Sequence, residues 1–282
     1  MRISAEWAQK KKDIFDPDIC RTARAHLRHY TATFREWGEG PPLVVIPGLA
    51  GGIDLLAPLA RALSSHYRVI AYQLRGEEDC FALRRRFGMR DLVEDLAEFV
   101  EWLGLEQPDI LGLSFGGVIG LQYAAAFPYR LRSLSVQGVG ARLEKSLLKF
   151  VAGLVLKDYP LPTNSQFVNQ FFQMLFGRGP QPKEIMDFVT RHCWQTDQSV
   201  MTHRFHLIRK IDLRPCLKDI RNPVLVMSGL RDVFISNHSL LELCEGIEDV
   251  QFVRLPKGGH LAFLIDPERV VQEVTGFTHR FD

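Results

Sequence analysis

The chain has 282 residues, of which 46% are hydrophobic and 24% charged, and its formal net charge is +2. A charge this close to neutral gives no electrostatic reason to expect a nucleic acid as a partner. No stretch approaches the ~18 consecutive apolar residues of a membrane span, and residues 1–18 lack the apolar core of a secretory signal. These features favour an ordinary soluble globular protein of enzyme size, built as two domains or as one domain with an insertion.

The cysteines are odd in number, scattered, and without C-x-x-C spacing. They are Cys20, Cys80, Cys193, Cys216 and Cys244. This pattern is typical of reduced thiols and predicts a cytoplasmic location.

Apolar runs alternate with amphipathic stretches through the first half of the chain. Residues 1–25 are polar and suggest at most a short helix, and alternating residues from His26 to Trp37 predict an antiparallel edge strand or hairpin. Wholly apolar runs then predict strands buried on both faces, with helices between them. The predicted strands are Leu43–Ile46, Tyr67–Tyr72, the run before Ser114, and Leu131–Val136; the predicted helices are Ile53–Leu63, Met89–Leu105 and Gly116–Phe127. This alternation predicts an α/β fold with a mostly parallel sheet, helices on both faces and right-handed crossovers.

The pattern changes after Gly140. From residue 141 to about residue 216 only helical patterns occur, separated by prolines and glycines; they cover 143–156, 165–176, 183–193 and 199–211. The strands Pro223–Met227 and Val250–Leu255 and the helix Pro267–Phe277 then restore the earlier alternation. We therefore predict a core formed by residues 1–140 and 217–282, and a helical insertion over 141–216.

A serine between glycines lies at a predicted strand-to-helix turn, in the sequence Gly112-Leu113-Ser114-Phe115-Gly116. The glycines leave room for a strained serine backbone that lifts the hydroxyl clear of the chain. The helix N-terminus offers backbone donors where negative charge would develop if Ser114 attacked a carbonyl. This is the G-x-S-x-G nucleophile elbow, a pattern that also occurs at ordinary tight turns.

A serine nucleophile needs a base and a group that orients the base. The strand at 224–227 leaves through a glycine turn that delivers Asp232, and the strand at 250–255 leaves through glycines that deliver His260. Because the carboxyl ends of parallel strands line one crevice, we expect both side chains to meet Ser114 there. Each alone is as typical of a turn aspartate or a packed histidine. The order Ser, Asp, His, each after a buried strand, favours a catalytic triad.

Over residues 26–140 and 217–282 the chain resembles the α/β-hydrolases of the large esterase, lipase and acyl-hydrolase group. The resemblance implies that Ser114 is the nucleophile and that His260 is the general base and later the acid. It implies that Asp232 holds the imidazole tautomer and stabilises its cation. Haloalkane dehalogenases and epoxide hydrolases of this fold attack with aspartate, so serine at the elbow argues against both.

The same resemblance implies an oxyanion hole formed by the backbone N–H groups of Leu49 and Phe115. Relatives often carry His-Gly in this loop, where this chain has Pro47-Gly48, so the backbone donor survives and the histidine side chain does not. Many relatives also carry Asp-x-Arg-Gly-x-Gly-x-Ser after the next strand, where residues 73–80 are Gln-Leu-Arg-Gly-Glu-Glu-Asp-Cys. Arg75 in this segment could contact the oxyanion loop or form a surface ion pair.

By the same resemblance residues 141–216 form a cap over Ser114, and such lids set substrate choice. The segment is rich in aromatic residues, most of them expected in the core and a few facing the crevice, where they favour an apolar or aromatic substrate group. The candidate pocket residues are Phe150, Phe172, Trp194, Phe234 and Phe263.

Three histidines in the insertion could suggest a metal site. His203 and His206 are three residues apart on a predicted helix, and His192 precedes them. No carboxylate or cysteine pattern completes a ligand set, so we expect neither a metal ion nor another cofactor.

These observations predict a hydrolase that cleaves a small or medium carboxylic ester through an acyl-serine intermediate. Activity is expected to fall as His260 becomes protonated, near or somewhat below neutral pH. An acyltransferase, a thioesterase or a C–C bond hydrolase would use the same triad and differ in pocket and water access. A non-catalytic ligand-binding receptor of this fold is the alternative from another class. The oligomeric state is left open.

Overall fold

A computed structural model describes residues 20–77, 86–144, 170, 173–177 and 183–281. Its centre is an eight-stranded sheet with the order β1-β2-β4-β3-β5-β6-β7-β8. The strands are β1 Cys20–His26, β2 Thr31–Trp37, β3 Pro42–Ile46, β4 Arg68–Tyr72, β5 Asp109–Leu113, β6 Leu134–Gln137, β7 Val224–Gly229 and β8 Val250–Leu255. The pairs β1/β2 and β2/β4 are antiparallel, and all other neighbours are parallel. The mostly parallel sheet is therefore confirmed.

The N-terminal hairpin corrects one expectation. Residues 20–25, where the sequence suggested at most a short helix, belong to β1, which pairs along its whole length with β2. As the outermost strand, β1 has mostly exposed side chains, so it lacks the apolar alternation that identifies a half-buried strand. Residues 1–19 lie outside the described part of the chain.

Helices cover both faces of the sheet, as the sequence predicts. Those among the described residues are α1 Gly52–Leu63, α2 Met89–Trp102, α3 Phe115–Ala126, α4 Lys183–Cys193, α5 Gln198–Ile208, α6 Arg214–Leu217, α7 Asn237–Glu245, α8 Ala262–Ile265 and α9 Pro267–Thr278, followed by a 3-10 turn at His279–Phe281. Alternate strand residues feed two hydrophobic clusters, because successive side chains of a strand point to opposite faces. Val44 and Ile46 pack in one cluster with α2 and α3, while Leu43 and Val45 pack in the other with α1 and α9.

The insertion expected over 141–216 is described in part. Helices α4 and α5 match the expectations for 183–193 and 199–211, whereas most of the helices expected at 143–156 and 165–176 fall outside the described residues. An isolated bridge joins Arg142 to Asp212, and Leu213 N donates to Ala141 O at 2.8 Å. The two ends of the segment therefore lie side by side at the core. None of the described helices is both long and apolar enough to cross a membrane.

Candidate active site

Ser114 occupies the sharp turn between β5 and α3. Its φ of 51° and ψ of −111° make it the only non-glycine residue with positive φ in the described part of the chain. Its N–H donates to Gln137 O at 2.8 Å, and its carbonyl accepts from Gly117 N at 2.9 Å and Val118 N at 3.2 Å. Backbone strain of this kind persists where the surrounding hydrogen bonds determine the conformation, and it is characteristic of functional sites.

The glycines around Ser114 are required by close backbone approach. A Cβ on Gly116 would lie 2.2 Å from Ile46 O, and one on Gly112 would lie 2.5 Å from Gly117 Cα. Both distances are too short for any side chain. The helix can therefore start directly against β3 and β5, which holds the Ser114 hydroxyl at the carboxyl edge of the sheet.

The three residues predicted as a triad meet at this edge. Ser114 Oγ lies 2.7 Å from His260 Nε2, and His260 Nδ1 lies 2.9 Å from Asp232 Oδ2. The carboxylate can only accept, so Nδ1 carries the proton and Nε2 is left to accept the serine hydroxyl. The side chains of His260 and Asp232 are 11% and 1% exposed. The arrangement is a continuous relay from hydroxyl to buried carboxylate.

Asp232 is held in its ionised form. Its Oδ1 accepts the backbone N–H groups of Phe234 at 2.8 Å and Ile235 at 3.2 Å. Burial raises the pKa of Asp232, but the positive charge of His260 and the hydrogen bonds from His260 and these two amides outweigh it. The pKa therefore lies below its usual value. The carboxylate is available to orient and stabilise an imidazolium.

Two residues that the sequence analysis did not single out position His260. Gln137 Nε2 donates to His260 O at 3.1 Å. The ring of His260 lies against Gly138, where a Cβ would approach within 3.2 Å of Cε1, and φ is +72°. The sequence signal was present, because Gln137 ends the buried strand β6 and Gly138 follows it, at the same edge of the sheet as the turns that lead to Asp232 and His260.

The loop 47–51, which carries the predicted oxyanion donor Leu49, runs beside Ser114. A Cβ on Gly48 would lie 3.9 Å from the Cβ of Ser114. Phe115 is the first residue of α3, and the first amides of a helix have no acceptor within the helix. This placement agrees with an oxyanion hole at Leu49 and Phe115, which remains a prediction.

Arg75 pairs mainly with a buried carboxylate, and its Nη1 also lies 3.9 Å from Oδ1 of the exposed Asp91. Its Nε and Nη2 donate to Asp95 at 2.9 and 2.5 Å, and both side chains are buried. The pair ties the segment after β4 to α2.

The aromatic pocket candidates are placed unequally. Phe234 lies with its ring centroid 5.3 Å from that of His260. Phe263 is 4% exposed within a hydrophobic cluster, and Trp194 packs half-buried against the same cluster. Phe150 and Phe172 fall outside the described residues.

The insertion histidines have other partners. His203 Nε2 donates to Phe87 O at 2.7 Å, and His192 Nδ1 lies 2.9 Å from Gln195 Oε1. In the described ranges no group of three or more His, Cys, Asp or Glu side chains is arranged to hold a metal ion.

Comparison with known families agrees with this geometry. The family model of the alpha/beta hydrolase fold matches residues 41–267. The chain belongs to the α/β-hydrolase family. Across 257 residues this α/β-hydrolase is 26% identical to a protein named "Putative carbamate hydrolase RutD" from Azorhizobium caulinodans, covering 87% of this chain and 94% of the relative.

Two further comparisons cover most of the chain. The protein is 23% identical to "Pimeloyl-[acyl-carrier protein] methyl ester esterase" from Nitrosospira multiformis, over 85% of this chain and 95% of the relative. It superposes on the crystal structure of the enol-lactonase from Burkholderia xenovorans LB400 with a TM-score of 0.79 at 21% identity, covering 90% of this chain and 99% of that one. The structural likeness at this identity shows the shared fold.

Proposed function

We propose that this α/β-hydrolase is a serine hydrolase that cleaves a small or medium carboxylic ester through an acyl-enzyme on Ser114. The observation that carries the proposal is the relay of 2.7 and 2.9 Å contacts joining Ser114, His260 and Asp232. A hydroxyl in contact with an oriented neutral imidazole is an activated nucleophile.

The relay supports the following acylation step. Ser114 Oγ attacks the ester carbonyl carbon while His260 Nε2 takes its proton, giving a tetrahedral oxyanion. The N–H groups of Leu49 and Phe115 stabilise that oxyanion, and one such donor contributes about 3 kcal/mol in comparable sites. When the C–O bond breaks, His260 returns the proton to the departing alcohol oxygen.

Deacylation repeats the sequence with water. His260 takes a proton from the water as its oxygen attacks the acyl carbon, and then protonates Ser114 Oγ as the carboxylic acid leaves. Asp232 stays ionised throughout and stabilises the imidazolium formed in each step.

We propose that residues 141–216 act as the cap that shapes the substrate pocket over a core formed by residues 1–140 and 217–282. Trp194, Phe234 and Phe263 are the described pocket candidates, and Phe234 has the best support because it lies against His260. Apolar walls of this kind favour an apolar acyl or alcohol group.

The test is a panel of fluorogenic esters, thioesters, carbamates and vinylogous diketones, because two relatives are named for an ester and a carbamate. We expect ester turnover, lowered at least ~10⁴-fold in Ser114→Ala. Ser228→Ala is the matched control, because this buried serine lies near the carboxyl end of β7 and its hydroxyl contacts Arg254 instead of His260. Retained turnover in Ser114→Ala, or ligand binding without product in the native protein, would overturn the proposal.

A further inference from the structure

A fully buried arginine lies behind the loop that carries Leu49. Arg204, on α5, is 0% exposed. Its Nη1 donates to Glu77 Oε1 at 2.5 Å and to Leu49 O at 3.0 Å, and its Nη2 donates to Arg75 O at 3.0 Å. One guanidinium therefore joins three segments of the chain. One of its acceptors is the carbonyl of the residue expected to supply an oxyanion donor.

A threonine extends this contact to the other end of the loop. Thr196 Oγ1 donates to Glu77 Oε2 at 3.2 Å and accepts Gly51 N–H at 3.0 Å. Gly52 packs on the same carboxylate, since a Cβ there would lie 3.4 Å from Glu77 Oε2. Leu49 and Gly51 are thus held on either side of Ala50 by side chains from the segment 141–216.

Stability alone does not explain this arrangement. Burying an ion pair costs desolvation that well-packed apolar side chains would avoid, so such pairs are weak evidence for stability. The planar fork of arginine does what an apolar residue cannot, because it fixes several acceptors at defined angles.

We infer that Arg204 is a positioning residue that holds the oxyanion loop through Leu49 and, with Glu77 and Thr196, through Gly51. This inference rests on the proposed function. Arg204 and Thr196 belong to the segment 141–216, so described residues of that segment hold the loop in the position that it has in this structure. A loop held in advance stabilises the tetrahedral intermediate more than the bound ester, so the contact acts on kcat more than on KM.

The first test is amide hydrogen exchange, which does not depend on activity. Arg204→Lys keeps the charge and loses the fork, and Thr196→Val removes the link to Gly51 without leaving a buried charge unpaired. We expect both to raise exchange at residues 47–52 by about tenfold or more. In Thr196→Val the amide of Gly51 loses its acceptor, and in Arg204→Lys the carbonyl of Leu49 loses its guanidinium donor. Unchanged exchange in both variants would overturn the inference.

The second test separates positioning from general loosening. We expect Arg204→Lys and Thr196→Val to lower kcat on a fluorogenic ester by roughly 10- to 100-fold, less than the loss of an oxyanion donor itself, with KM within about threefold. Affinity for benzeneboronic acid, which forms a tetrahedral adduct on serine, should fall in proportion to kcat.

Arg132→Lys is the matched control. Arg132 also makes a two-point contact with a buried carboxylate, Asp109, but at the opposite end of β5 from Ser114. It should lower the unfolding temperature and leave kcat and exchange at 47–52 as in the native protein. A loosened loop with native kcat and boronate affinity would overturn the inference. Failure of the native protein to turn over any ester or to react with a fluorophosphonate would instead overturn the proposed function.

Discussion

Two buried carboxylates near the nucleophile have opposite roles. Asp232 and Glu77 are 1% and 6% exposed, and each is paired with a single basic side chain. The partner of Asp232 is an imidazole, which can accept a proton and return it, whereas the partner of Glu77 is a guanidinium, which keeps its charge. The pair of His260 and Asp232 can therefore take part in proton transfer, whereas the pair of Arg204 and Glu77 can only hold chain segments in position.

The remaining hydrogen bonds separate the two sites further. Asp232 takes its other donors from its own turn, the amides of Phe234 and Ile235. Glu77 takes its donors from Arg204 and Thr196, more than a hundred positions away in sequence. Asp232 is therefore oriented by its own turn, and Glu77 joins distant segments. The identity of the cation thus decides whether a buried ion pair near a nucleophile reacts or holds structure.

The largest effect is expected from a substitution that breaks the pair of Asp232 and His260. Asp232→Asn should lower kcat about 10⁴-fold, because an amide no longer favours the imidazole tautomer that accepts the serine proton. Steady-state turnover of the best ester, with circular dichroism to confirm folding, measures this. A loss below tenfold would mean that Asp232 does not orient the base.

The next largest effect is expected from a substitution that breaks the pair of Glu77 and Arg204. Glu77→Gln should destabilise the protein by about 3–5 kcal/mol, because Arg204 is left buried and charged without its carboxylate. Urea unfolding measures the change, and Glu77→Gln combined with Arg204→Met should recover part of it. If Glu77→Gln has the same midpoint of urea unfolding as the native protein, the pair of Glu77 and Arg204 makes no such contribution to stability.

The pH dependence of kcat/KM tests the pair of His260 and Asp232, because an imidazole can exchange a proton and the guanidinium of Arg204 cannot. Protonated His260 cannot accept from Ser114, so kcat/KM should fall about tenfold per pH unit on the acidic side of its inflection. Because the pKa of Asp232 is below its usual value, the carboxylate remains ionised and adds no second inflection above about pH 4. A flat profile from pH 5 to 8, or a slope of two protons, would contradict a single imidazole base.

The smallest expected effect concerns the support of His260. Gln137→Leu removes the hydrogen bond from Gln137 Nε2 to His260 O, which is worth about 1 kcal/mol. We expect kcat to fall roughly fivefold, with little change in the pH profile, since the relay itself is intact. A loss as large as that of Asp232→Asn would show that Gln137 does more than position the backbone.

The meeting of the three proposed triad residues could be predicted because their sequence signals are local. Ser114 and Asp232 follow the fully buried strands β5 and β7, and His260 follows the half-buried edge strand β8. Each stands near glycine, and the parallel sheet brings those strand ends together. Strand β1 could not be predicted, because an exposed edge strand needs no apolar alternation. The contact of Arg204 with Glu77 could not be predicted either, because 127 positions separate the two residues and no short-range sequence pattern links them.

The acyl-enzyme can be observed most directly by rapid quenching in acid during ester turnover, followed by mass spectrometry of the peptide that contains Ser114. We expect the mass of the acyl group on Ser114 at early times, decaying at the rate of turnover, and a longer-lived acyl group in Asp232→Asn. Full turnover with no acyl group on Ser114 at any time, or an acyl group on another residue, would contradict the account.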